Sequence, residues 1–312
     1  MSVIKLTPAI KDYLWGGNKL KERYGAKSDG IVAEMWAISC HPDGPSLIEK
    51  GEYQGKTLSE YIESKGREIL GTRGMKFEQF PILVKLLDAN KDLSIQVHPD
   101  DKYGLRVENE YGKNEMWLVL EAEPGALIYH GVKEAMTKGE FRQAIDNSII
   151  VEKLNAVETK PYDFFNIPAG TIHALGKGNV IAEVQQSSNS TYRIYDFDRK
   201  DAEGNHRELH IDKATDVSDL SPIITDRIFD WRQDKIGLVD NEFFKTTYYR
   251  ILEYKEMKAT SESFQGLLVI KGEGTLSDGN NDYKISAGNG LFVESNTRYY
   301  VSGDVELLII EV

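Results

Sequence analysis

Apolar residues in this chain come in short runs of β-branched, aromatic and aliphatic side chains, each closed off by Gly, Pro, Asn or Asp. Such runs lie at residues 82–87, 94–97, 116–120, 164–167, 180–184, 246–252, 267–270, 290–293 and 305–312. Runs this short suit strands punctuated by turns, because they leave no room for the three- and four-residue spacing of a helical face. Many such strands predict a mainly β protein arranged as a sandwich, jelly roll or barrel. Helical spacing is confined to KTLSEYIESKGREIL (56–70) and KEAMTKGEFRQAIDNS (133–148), which read as accessories to the β framework.

With 312 residues the chain can bury a sizeable core in two domains or one large one. Its 38 Lys+Arg face 50 Asp+Glu, a net charge of −12. A surface of that sign repels the phosphates of nucleic acid and of anionic membranes, so neither is expected as a partner. A single cysteine, Cys40, excludes an internal disulfide and every cysteine-rich zinc module, which fits a reducing cytoplasm. The opening MSVIKLTPAIKDYLWGG has no signal-peptide core, and no stretch approaches a membrane span. A cytoplasmic protein is the expectation.

An internal repeat refines the picture. WLVLEAEPGAL (117–127) can be laid over LLVIKGEGTL (267–276), and FFNIPAGTIHAL (164–175) over LFVESNTRYYV (291–301). Both pairs run strand, tight turn, strand, as two copies of one β unit would. Glu115 then falls opposite Gln265 and His173 opposite Tyr299, so the first copy has ligand-type residues where the second has none. The longer spacing of the first copy is taken up by the helical segment after Val132. The expected division is residues 1–235, a site-bearing domain with an N-terminal extension and a helical insertion near 133–155, and residues 236–312, a smaller site-less one.

Four residues carry the chemistry: Gln96 and His98 in SIQVHPDD, Glu115 in KNEMW and His173 in IPAGTIHAL. On a strand Gln96 and His98 share one face while Ile95 and Val97 serve the other. The Pro-x-Gly turn before His173 starts a strand that brings its imidazole into the same region. Two imidazoles, a carboxylate and an amide oxygen make a first shell for a divalent ion with room left for a substrate. GKGN (176–179) lacks the third glycine and the helix of a dinucleotide fingerprint.

YLWGGNKL (13–20), EMWAISCHPDGPS (34–46), PILVKLLDA (81–89), QVHPDD, KNEMW, PAGTIHAL and TYRIYDFDR (191–199), in this order, resemble the type I mannose-6-phosphate isomerases in their short bacterial form. The resemblance covers most of the chain. It implies two cupin-like β-sandwich or jelly-roll domains, one zinc per chain held by Gln96, His98, Glu115 and His173, and aldose to ketose isomerisation of a small sugar phosphate, mannose 6-phosphate, through an enediol. Phosphate needs cations, and Lys85 and Arg193 are the candidates, with Ser94 as a further donor. Lys113 and Glu183 are both candidates for the proton-transferring base, alongside Arg193 near the reacting groups. The alternatives are a metal cupin of different chemistry, which usually has a histidine where Gln96 stands, and a non-catalytic sugar-phosphate binder.

Overall fold

The computed structural model describes residues 2–200, 204–223 and 229–312. Among these residues the chain forms antiparallel sheets of six, five and eight strands, so the mainly β expectation holds. The six-stranded sheet runs in the order Phe164–Ile167, Glu115–Ala122, Asn179–Gln186, Ile82–Asp88, Glu34–Ile38 and Ala9–Lys11. The five-stranded sheet runs Tyr192–Tyr195, Ile95–Val97, His173–Leu175, Leu127–Val132 and Leu154–Glu158.

Period-two alternation decides what each face does. Met116, Leu118, Ile82, Val84, Leu86, Val180, Ala182 and Val184 join a buried core with Leu268, Phe292, Leu308 and Ile310 of the eight-stranded sheet. Trp117, Val119, Leu87 and Ile181 lie on the opposite face with Ile128 and Leu175 of the five-stranded sheet. Glu115, Lys85 and Glu183 share that second face by parity. A one-residue slip would drive these charges into the apolar core, so the register is tightly specified.

The five-stranded sheet turns Ile95, Val97, Ala174, Tyr192 and Ile194 outward, where they pack against Phe141, Ala144, Ile145, Ile150 and Ala214. Those partners lie on or at the ends of helices Lys138–Asp146, Ile150–Lys153 and Ile211–Val217. Gln96, His173 and Arg193 consequently face the six-stranded sheet.

The two expected helices form at Leu58–Lys65, followed by a 3-10 turn at Arg67–Leu70, and at Lys138–Asp146. Each starts with a capping box, Thr57 with Glu60 and Thr137 with Glu140, which satisfies backbone donors that the first turn leaves orphaned. Helical structure is not confined to those places, however. Lys19–Tyr24, Asp101–Val107 and Ile211–Val217 are also helical, and at six or seven residues they are too short to show a repeating apolar face.

The eight-stranded sheet contains Lys235–Asp240, Lys245–Lys258, Arg298–Glu311, Gln265–Ser277 and Gly290–Val293, with Asp282–Ser286 paired to Gln265–Ser277. It also takes in Val3–Thr7 and Leu47–Ile48, so residues 236–312 do not build it alone. One edge of the buried strand Gly290–Val293 is paired by strand Val3–Thr7, which the short runs of the sequence did not reveal. The registers of the two halves correspond. Glu115 pairs with Ile167 as Gln265 pairs with Val293, and His173 pairs with Gln96 as Tyr299 pairs with Met257. No helix among the described residues is long and apolar enough to cross a membrane.

Candidate active site

Strand Ile95–Val97 delivers Gln96, and the chain leaving it delivers His98. Glu115 opens strand Glu115–Ala122, and His173 opens strand His173–Leu175 after a turn in which Thr171 N donates to the Pro168 carbonyl. Gly170 in that turn has φ +88°, and an added Cβ would lie 3.0 Å from the Val217 carbonyl oxygen, so the turn into His173 depends on glycine. His98, Glu115 and His173 are all buried.

Each imidazole is oriented by a main-chain carbonyl. His98 Nδ1 donates to Ser190 O at 2.9 Å and His173 Nδ1 donates to Thr171 O at 2.9 Å. That fixes the tautomer and leaves both Nε2 atoms as bare lone pairs. Burial, the largest influence, holds both rings below the ordinary histidine range, His173 at about 3, so both imidazoles are uncharged at neutral pH.

The bare nitrogens meet a carboxylate. His98 Nε2 lies 3.4 Å from Glu115 Oε1 and His173 Nε2 lies 3.5 Å from Glu115 Oε2. Among the described residues neither Glu115 oxygen accepts a well-formed hydrogen bond, while Lys113 Nζ forms an ion pair 2.6 Å from Oε1 and stands 3.2 Å from His98 Nε2. Lone pairs facing lone pairs in a buried space are unfavourable unless a cation stands among them. Burial, then the nearby Glu183, pushes the Glu115 carboxyl up. The donor atoms of His98, Glu115 and His173 all lie within 4.8 Å of one another. Gln96 places its amide 3.4 Å from His173 Nε2, and a half-turn of that amide presents its oxygen to the same point.

Gln96, Lys113, Lys85, Glu183, Ser94 and Arg193 line one cavity of about 290 Å³. Every residue singled out in the sequence is therefore at the cavity or at the donor cluster beside it. Lys85 stands on a strand interior to the sheet. Its Nζ lies 3.1 Å from Glu183 and 3.7 Å from Glu34. Burial opposes the Lys85 charge most, but these carboxylates together hold its pKa above the ordinary lysine value. Burial likewise opposes the Glu183 charge, yet Lys85 and then Lys113 bring that carboxyl below its usual value. Trp117 Nε1 donates to the other Glu183 oxygen at 2.8 Å. Lys113 precedes the strand rather than lying on it, and reaches Glu115 from the preceding loop.

Arg193 does not pair with Asp196 or Asp198. Its Nη1 donates to the Glu208 carbonyl at 2.8 Å, and its buried Nε has no partner among the described residues. Asp196 is gripped by Arg199 and Arg207. Arg207, Glu34, Trp117 and Asn189 also line the cavity and were not singled out in the sequence. Glu34 was detectable as an acid inside an otherwise apolar strand. Arg207 sits in the charged stretch NHREL, where nothing sets it apart.

The family model described as the phosphomannose isomerase type I catalytic domain matches residues 3–118. The mannose-6-phosphate isomerase of Streptococcus mutans is 38% identical over 300 residues, covering 95% of this chain and 93% of the relative. The crystal structure of the mannose 6-phosphate isomerase from Bacillus subtilis superposes with a TM-score of 0.91 at 36% identity, covering 100% of both chains. A zinc-bound mannose 6-phosphate isomerase, 17% identical, superposes with a TM-score of 0.78 over 99% of each chain and shows a shared cupin fold.

Proposed function

Since the chain belongs to the type I phosphomannose isomerase family, we propose that it interconverts mannose 6-phosphate and fructose 6-phosphate through an enediol, with one zinc ion held by Gln96, His98, Glu115 and His173. The observation that carries the metal is the buried convergence of the Glu115 carboxylate on the unprotonated Nε2 atoms of His98 and His173, with donor atoms of all three within 4.8 Å of one another. Two imidazoles, one carboxylate and one amide suit zinc, the ion in the zinc-bound relative. When bound, zinc supplies Lewis acidity to the sugar oxygens.

The protein supplies the rest. A proton must leave one carbon and return to its neighbour while a second proton moves between the oxygens, which calls for a base and a positioned acid at the metal end of the cavity. Glu183 and Lys113 stand there as a carboxylate and an ammonium. Glu183 is held by Lys85 and Trp117 in a fixed orientation, which suits a base directed at carbon. Lys113, beside Glu115 and His98, suits the oxygen side. Ser94 and Lys85 contribute further polar contacts to the sugar, although the Lys85 charge is shared with Glu183 and Glu34. Arg193, which lines the cavity, takes the phosphate end.

Lys113 and Glu183 beside the metal ligands favour turnover over a non-catalytic sugar-phosphate binder. A coupled assay on zinc-loaded protein decides: turnover of mannose 6-phosphate is expected, and binding without turnover would give the non-catalytic reading. In the same assay Arg193→Lys should keep zinc and thermal stability but lose at least about tenfold in kcat/KM, roughly 1.4 kcal/mol, because an ammonium cannot grip two phosphate oxygens in a planar fork. Near-normal kcat/KM in that variant would remove Arg193 from the phosphate.

The division of the chain is part of the same proposal: a metal-binding unit within residues 1–235 and a metal-free β unit of residues 236–312, completed by Val3–Thr7 and Leu47–Ile48. It is supported by Tyr299 donating to Gln265 Oε1 at 2.7 Å, two side chains that satisfy each other where the first unit presents His173 and Glu115. A sugar-phosphate substrate and an unpaired Cys40 fit action in the cytoplasm.

A further inference from the structure

We infer that Glu110 is a positioning residue that holds both the metal ligand His98 and one wall of the substrate cavity through the turn 188–190. Glu110 follows helix Asp101–Val107, next to Asn109, whose φ of 58° turns the chain back. Its side chain is 34% exposed, and it touches neither the ligand cluster nor the cavity.

One of its oxygens gathers the whole turn. Glu110 Oε2 accepts hydrogen bonds from Ser188 Oγ at 3.1 Å, Asn189 N at 3.1 Å and Ser190 Oγ at 3.0 Å. Its Oε1 faces His41 Nε2 at 3.5 Å. The His41 contact first, then the donors of the turn, hold the Glu110 carboxyl at about 2. Three donors from three consecutive residues converging on one oxygen define the turn, since hydrogen bonds to an ionised acceptor are the strong ones.

The turn has two outputs. Ser190 O accepts from His98 Nδ1, the bond that leaves His98 Nε2 free to bind metal. Asn189 lines the substrate cavity, and its Nδ2 donates to Asp43 Oδ2 at 2.8 Å. Asp43 N in turn donates to His41 Nδ1 at 3.2 Å, closing a ring of contacts back to Glu110. Without the Glu110 carboxylate two serine hydroxyls and a backbone N–H lose their common acceptor. The turn then keeps the bonds from Gln185 Nε2 to Ser188 O, from Ser190 N to Ser188 Oγ and from Asn189 Nδ2 to Asp43, but the Ser190 carbonyl, the His98 tautomer and the Asn189 wall are held more loosely. Outer partners of this kind are typically worth 10- to 100-fold in metal affinity.

The inference rests on the reading of His98 as a zinc ligand, and the test separates the two. Metal-free wild type, Glu110→Ala and Glu110→Gln are titrated with zinc against a chromophoric chelator, well below the Tm of each. The ring nitrogens of His98 are followed by NMR in the same metal-free samples. Glu110→Ala should bind zinc at least about tenfold more weakly, raise KM for mannose 6-phosphate more than it lowers kcat at saturating zinc, and lose the single Nδ1–H tautomer. Glu110→Gln should recover most of the affinity, because its amide oxygen still accepts from the turn. Unchanged zinc affinity in Glu110→Ala, with or without a lower Tm, would overturn the inference. Failure of the wild type to bind zinc would instead overturn the metal reading, and an unaltered His98 tautomer in Glu110→Ala would then dispose of the positioning role independently.

Discussion

Replacing His173 by alanine is expected to leave a folded protein that holds no zinc and turns over mannose 6-phosphate at least roughly 10³-fold more slowly, a loss of about 4 kcal/mol in transition-state stabilisation. The parent should carry about one zinc per chain. His173 presents one of two bare imidazole nitrogens, so its loss leaves one imidazole, a carboxylate and a weak amide, too few donors for tight binding. The fold should survive, because His173 belongs to none of the large apolar clusters. Its ring centre lies 4.9 Å from that of His98 and 5.2 Å from that of Trp117, which is fixed from elsewhere by Glu183. Elemental analysis and circular dichroism together check this outcome. Zinc retained at full stoichiometry in His173→Ala would place the ion elsewhere. Two zinc ions in the parent would contradict a metal-free second unit, in which Gln265 and Tyr299 already bond to each other.

Lys85→Met should be the most destabilising change at the cavity, costing about 3–5 kcal/mol, as expected for a buried ion pair broken from one side. A Tm drop on the order of 10 °C is the observable consequence. Lys85 is 3% exposed, lies within ion-pair reach of Glu183 and Glu34, and sits 4.9 Å over the Trp36 ring. Removing its ammonium leaves the buried Glu183 and Glu34 carboxylates close together without their shared counter-charge. Adding Glu183→Gln to the same chain should restore part of the stability, since one of the stranded charges is then gone, while activity stays low. A Lys85→Met protein within about 1 kcal/mol of the parent would show that the cluster is not an electrostatic unit.

What the sequence disclosed followed from strand geometry. Alternation in SIQVHPDD put Gln96 on the inner face, and Ile95 and Val97 do pack outward on the helices. The repeat aligned Glu115 with Gln265, and the strand registers pair them equivalently. Other features depend on contacts between distant segments and leave no local pattern. Arg207 faces the cavity from a charged stretch only because Asp196 holds it there. Helix Asp101–Val107 starts where the Asp100 side chain accepts from Tyr103 N, one cap on a segment too short for periodicity. Glu110 reads as a solvated acid until the turn that it organises is in place.

Strand Val3–Thr7 pairs with Gly290–Val293, and Tyr283 Oη donates to the Val3 carbonyl across 280 positions of chain. During synthesis on the ribosome this early-made segment can pair along one edge with Leu47–Ile48, but its other edge waits until residues 290–293 have emerged. The apolar face of the six-stranded sheet, which is covered by the late-made sheet, waits with it. Closing so long a loop is slow, and a nascent chain with an open strand edge and an uncovered face is prone to associate with its neighbours. Recovery of soluble protein should accordingly depend more on synthesis rate and chaperone supply than the final stability would suggest.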